Sequence, residues 1–133
     1  MKLYIAILDE FPDYMTPTLV AHSILGAHIK FTGSYLGTPT NNYEFWFRES
    51  FKKCVVRVNQ KEFDRISEIP HTHLGYEIHT LDGKASCAIP YPVPNEELPN
   101  VLKFAKLWKP LNDCIKEGDP ELLTKEIYSI RSK

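Results

Sequence analysis

The sequence predicts an α/β domain: a mixed four-stranded sheet with helices on both faces, followed by a C-terminal helical tail. One observation is the continuous apolar run from Leu3 to Leu8, which has strand length and suits a strand buried on both faces. Another is the order of the segments, β-α-α-β-α-β-β-α, which implies helices packed over a mixed sheet. The third is bulk composition. The 133 residues are 43% hydrophobic and 25% charged, an ordinary globular balance with enough chain for one core. The domain is expected over residues 1–110 and the tail over 111–133.

Asp9 to Asp13 breaks the first strand. Thr16 offers a helix cap with Pro17 at the first helical position. Leu19, Val20, Ile24, Ala27 and His28 then recur at helical spacing, and the helix should fade between Lys30 and Gly33. Gly33 to Asn42 is rich in Gly, Thr, Pro and Asn and reads as a loop. Tyr43 to Phe51 is expected to be a short helix with a dense aromatic side. Cys54 to Val58 is the second strand. A second long helix covers Gln60 to Ile69, with Phe63, Ile66 and Ile69 inward and Pro70 ending it. Gly75–Thr80 and Ala85–Ile89 are two more strands, joined by a turn at Asp82-Gly83. Pro90 to Pro94 forbids continuation. Asn95 caps a last helix with Leu98, Val101, Leu102, Ala105 and Leu107 inward, closed by Trp108-Lys109-Pro110. In the tail, Asp119-Pro120-Glu121 is a helix start. Leu122, Leu123, Ile127 and Ile130 make an apolar face for the domain, a second copy of the chain or another protein.

Charge and cysteines narrow the function classes. The net charge of −1 gives no global electrostatic case for nucleic acid, leaving only a local basic patch. Cys54, Cys87 and Cys114 are odd in number and far apart, so they form neither a disulfide framework nor a metal knuckle. A reducing, cytoplasmic setting fits. The N-terminal apolar run is too short for a signal segment or a membrane span. Serine-nucleophile motifs, phosphate loops and dinucleotide fingerprints are absent. His71-Thr72-His73 places two imidazoles at alternate positions but supplies no third metal ligand. No cofactor is expected.

Several residues carry candidate chemistry. Thr18 lies at a helix N-terminus, where free amides and the helix dipole favour an anion. His22 stands one turn further, able to bond or stack on a ligand. His79, Thr80, Asp82 and Lys84 cluster at a strand end, where open α/β sheets place sites. Tyr43, Phe45, Trp46 and Phe47 offer rings for base stacking, with Arg48, Lys52 and Lys53 for phosphates.

The middle of the chain resembles a known family. Phe51-Lys52-Lys53-Cys54-Val55-Val56-Arg57-Val58-Asn59 is similar to the segment of type 2 peptidyl-tRNA hydrolases in which a short helix, two lysines and a valine-rich strand follow one another. The Leu74-Gly75-Tyr76-Glu77-Ile78 strand, the strand leading to Pro90 and the segment after Pro94-Asn95-Glu96-Glu97 also match, as do the first strand and the small-residue helix from Met15. The resemblance spans residues 2–108 and lies in element order and hydrophobic texture. It implies a cleft for nucleotide or RNA-end phosphates. The family's helix opens with Gly-Lys, and here the matching pair is Pro17-Thr18. Its next glutamine is matched by His22, and the histidine three positions on falls near Leu25. Its Asp-x-Gly-x-Thr loop is shortened, so the acid falls on Thr80, or on Asp82 with a slipped register. Losing the lysine cation implies a ligand-binding protein that holds a nucleotide or RNA-end phosphate without hydrolysis. One form of this is a viral or bacterial protein that sequesters a nucleotide signal. The alternative is a peptidyl-tRNA hydrolase with a rearranged site, using His22 and Asp82.

Overall fold

The computed structural model describes residues 1–33, 41–77 and 81–111. The expected tail helix, His79, Thr80 and Cys114 lie outside the described residues. Strand β1 (Lys2–Leu8) buries Leu3, Ile5 and Ile7 on one face and Ala6 and Leu8 on the other. Residues of opposite parity leave a strand on opposite faces, so an unbroken apolar run belongs at the centre of a covered sheet. That is its position in the order β3-β4-β1-β2-β5. Strand β2 (Lys52–Val58) runs parallel to β1. Strands β3 (His73–Glu77) and β4 (Lys84–Ile89) form an antiparallel hairpin, and β4 pairs antiparallel with β1.

Helix α1 (Thr16–Thr32) packs on one face, burying Thr16, Leu19, Ser23, Ala27 and Phe31 at helical spacing. Thr16 does not act as its cap. A single 3₁₀ turn over Asp13–Met15 runs straight into the helix, and the Thr16 amide already donates to the Asp13 carbonyl. Helix α2 (Asn42–Phe45) continues into a π-type turn over Trp46–Ser50 and completes this layer. Helix α3 (Gln60–Ser67) covers the other face. Asn59 and Glu62 form a reciprocal capping box at its start, which satisfies two otherwise orphaned amides.

The sheet has five strands, not the four expected, and the last long helix is absent. Pro99 has no amide hydrogen to continue a helix from Asn95. The segment instead forms a 3₁₀ turn at Asn95–Glu97, one helical turn α4 (Asn100–Lys103) and the short strand β5 (Lys106–Leu107) beside β2. Leu107, expected inward, is exposed on this edge strand. A polar clasp holds the end of β5. The two terminal guanidinium nitrogens of Arg57 donate to the Asp13 carboxylate, and the Leu111 amide donates to Asp13 Oδ2 at 2.6 Å. The Arg57 side chain holds the Asp13 carboxyl below its usual range, and the Leu111 amide works in the same direction against partial burial. No helix among the described residues is long and apolar enough to cross a membrane.

Candidate functional site

Along the α1 face, helix and edge strand meet through polar and small residues. Strand parity turns His73, Gly75 and Glu77 toward α1. Each meets a helix residue. Lys30 Nζ donates to the Thr72 carbonyl at 3.0 Å. A Cβ on Gly26 would lie 2.7 Å from His73 Nε2, and a Cβ on Gly75 would lie 2.0 Å from Ser23 Oγ. His22 Nδ1 and Glu77 Oε1 are 3.2 Å apart. The two glycines let the backbones close, and closure brings His22 onto Glu77.

Glu77 is 4% exposed, whereas His22 is 59% exposed. A buried carboxylate thus anchors a surface imidazole by one nitrogen. A carboxylate oxygen accepts and a ring N–H donates, so the pair fixes the ring when the proton sits on Nδ1. Two buried polar atoms beside this pair, Glu77 Oε2 and Ser23 Oγ, find no hydrogen-bond partner among the described residues. The Ser23 hydroxyl neighbours the Cys87 thiol without forming a full hydrogen bond to it. Burial pushes that thiol up, the Ser23 and Ser86 hydroxyls pull it down in part, and the Glu77 charge adds to the rise. Cys87 is therefore a protonated core thiol rather than a nucleophile.

The sequence-predicted residues fall into two groups. Thr18 and His22 are exposed one turn apart on α1. Lys84 stands directly across the hairpin from Glu77, and directly opposed residues share a face. Its exposed ammonium forms no ion pair among the described residues. His22 thus contacts Glu77, with Lys84 across the hairpin from that acid and Thr18 one turn before His22 on α1. Pro17 lacks an amide hydrogen and the Thr16 amide is spent, so this helix start offers fewer anion donors than a free one. Asp82 lies at positive φ in the hairpin turn beside Gly83 and is exposed. The acid that holds His22 is Glu77, not Asp82. Glu77 carried a readable signal, since it is the one acid on the inward parity of the Gly75 strand.

The second group is the aromatic corner. Trp46 is 2% exposed, and its Nε1 donates to the Lys52 carbonyl at 2.6 Å. It is a core residue, with no face free for a ligand base. Tyr43 is buried too and bonds His28 Nδ1 at 2.9 Å through its hydroxyl. Arg48 is exposed and pairs with Glu44 one turn away. Beneath the opposite face of the sheet, a cleft of ≈ 160 Å³ opens between Tyr4, Ile69, Val93 and Leu98, and none of the predicted site residues lines it. Among the described residues no three His, Cys, Asp or Glu side chains gather as metal ligands. The chain matches no protein-family model, and no curated protein shows significant similarity to it.

Proposed function

We propose that the corner of Thr18, His22, Glu77 and Lys84 binds a phosphate-bearing ligand, a nucleotide or an RNA end, and that it does so without turnover on a fold like that of type 2 peptidyl-tRNA hydrolases. The observation that carries the reading is the anchoring of exposed His22 by buried Glu77. A ring held by one nitrogen offers the other to a ligand at small entropic cost. Lys84, across the hairpin from Glu77, supplies a cation. Binding needs only these donors, whereas ester hydrolysis also needs groups placed on water and on the developing oxyanion. The free thiols of Cys54 and Cys87 suit a reducing cytoplasm, where we place the protein. Self-association or a protein partner through the tail belongs to the same reading.

Calorimetry with mono-, di- and cyclic nucleotides and with tRNA tests it. The His22→Ala variant should lose about 1–2 kcal/mol of binding, the worth of one hydrogen bond to a charged group. A second reading, peptidyl-tRNA hydrolysis, is favoured by one specific feature. An imidazole oriented by a carboxylate is also the arrangement of a general base. Cleavage of N-blocked aminoacyl-tRNA at about 1 per second or faster would replace binding with catalysis. Failure of every nucleotide and tRNA to bind would end the first reading.

A further inference from the structure

Beyond the end of α3 at Ser67, the sheet face borders a cleft rather than a helix. Lys2 and Tyr4 share the parity of Ala6 and Leu8 on β1, so they belong to this face. Both line the cleft of ≈ 160 Å³, whose other wall is drawn from the chain between Pro90 and Pro99. Pro90, Pro92 and Pro99 form part of that wall, and their fixed φ angles restrict its backbone. Hydrogen bonds hold the wall as well. Asn42 Nδ2 donates to the Pro92 carbonyl at 3.1 Å, and the Glu97 amide donates to the Pro94 carbonyl at 2.9 Å. The cleft is thus shaped before a ligand arrives, as small-molecule sites usually are.

Charge and apolar surface are separated within it. Pro90, Pro92 and Leu102 are buried, and Tyr4, Ile69 and Leu98 are half-buried. Among the lining residues only Lys2 and Glu97 carry a charge, and both are exposed. The floor is therefore apolar and the charges stand at the mouth. Lys2 and Glu97 do not pair with each other, and neither forms an ion pair among the described residues. Lys52 stands beside Lys2 in the parallel register of β1 and β2 and adds to the cationic side. Size sets a further limit. An apolar cavity of about 150 Å³ holds benzene, so this cleft takes one ring or one branched aliphatic group.

We propose that this cleft binds a free α-amino acid with an apolar side chain, its side chain on the floor, its carboxylate at Lys2 and its ammonium at Glu97. A neutral hydrocarbon would leave both charges unmatched. An apolar acid would bring its carboxylate near Glu97, and an apolar amine would bring its ammonium near Lys2. Like charges placed together cost affinity and so select against both. A zwitterion satisfies the two sides at once, because long flexible side chains let Lys2 and Glu97 converge on neighbouring groups of one α-carbon. Exposed ion pairs are individually weak, so burial of the apolar side chain supplies most of the affinity and the charges supply the choice of ligand. None of these residues belongs to the His22 corner, so either site can exist without the other.

NMR titration of the full chain with free phenylalanine and leucine tests it, alongside hydrocinnamate, phenethylamine and toluene, which keep the ring and lose one or both charges. At least one of the two amino acids should bind with a Kd of about 1 mM or tighter, as suits a ligand of this size, and should shift resonances of Tyr4, Val93 and Leu98. Alanine, which leaves the floor empty, should bind about tenfold more weakly. Each singly charged analogue should bind about threefold more weakly than phenylalanine. Lys2→Met and Glu97→Gln alter only exposed, unpaired side chains, so the melting temperature should hold. Lys2→Met should weaken phenylalanine and hydrocinnamate about threefold and spare phenethylamine, and Glu97→Gln should weaken phenylalanine and phenethylamine and spare hydrocinnamate. Val93→Trp fills the cleft and should abolish binding of all of them. Toluene binding as tightly as phenylalanine would assign the cleft to any apolar group, the leucines of the tail included, and would overturn the proposal. So would the absence of saturable binding by both amino acids at about 10 mM, or charge variants that leave the order of the ligands unchanged.

Discussion

The two faces of the sheet are built from different materials. The α3 face is apolar, with Val56, Val58, Phe63, Ile66 and Leu102 closing over Ala6, Leu8 and Ala88. Its helix start is satisfied by a capping box. Strand β3 and α1 on the opposite face instead meet through His22, Ser23, Gly75 and Glu77, and two buried polar atoms there have no hydrogen-bond partner among the described residues. Burying a carboxylate costs stability unless all its acceptor sites are filled. One face is thus arranged for stability, and the other holds groups that stability alone would exclude. These are the groups on which the proposed ligand site is built.

The largest effects should separate the faces by stability. Ile66 is fully buried. Ile66→Ala should lower the unfolding free energy by about 2–5 kcal/mol in denaturant titration, with ligand affinity of the folded protein unchanged. Gly75→Ala forces a methyl onto Ser23 and should cost about 1–3 kcal/mol. Unlike Ile66→Ala it should also weaken nucleotide binding, because α1 must move off β3 and carry His22 from Glu77. Equal affinity in the two variants would remove the distinction between the faces. Asn59→Ala breaks the capping box and should cost about 1 kcal/mol, again with binding intact.

Much of this architecture was legible in the sequence. The apolar run Leu3–Leu8, the Phe63–Ile66 face and the Asp82-Gly83 turn each carry a local signal strong enough to place them. Strand β5 is only two residues long and has no periodicity to read. Pro99 did carry a signal, and it outweighs the apolar spacing of Leu98, Val101 and Leu102 because a missing amide and a ring clash stop a helix there. Trp46 was misplaced for another reason. In a run of four neighbouring aromatics, composition shows that some rings are buried but only the helical phase shows which. The pairing of His22 with Glu77 joins residues 55 positions apart. It depends on how closely α1 approaches β3, which Gly26 and Gly75 decide together.

Glu77→Gln should barely change stability, by less than about 1 kcal/mol, yet should weaken ligand binding. The amide fills the same volume and removes a buried charge. Its own N–H₂ can also turn toward Nδ1 and change the hydrogen bond that orients the ring. Denaturation and calorimetry on the same preparation separate the two effects. A variant that loses stability and binding in proportion would mark Glu77 as a structural group only. Glu77→Leu sharpens this by removing the polar burden, and a gain in stability with loss of binding is expected.

The smallest expected effect is a pH dependence confined to the α1 face. His73 is half-buried with its ring against Gly26. Burial holds it below its ordinary value of 6.5, and the neighbouring Lys30 charge lowers it further. A lowered native pKa means that the unfolded chain binds the proton more readily. The stability that His73 contributes is therefore complete above pH 6.5 and is lost as pH falls through the lowered native value. Melting temperature should drop between pH 7 and pH 5, and His73→Gln, which cannot titrate, should reduce that drop. The two proteins differ only at this ring, so the difference between the two slopes isolates His73. Ile66→Ala should keep the wild-type slope at a lower melting temperature throughout. Identical slopes for the wild type and His73→Gln would mean that the ring accepts its proton in place, and that the contact of α1 with β3 is looser than its geometry implies.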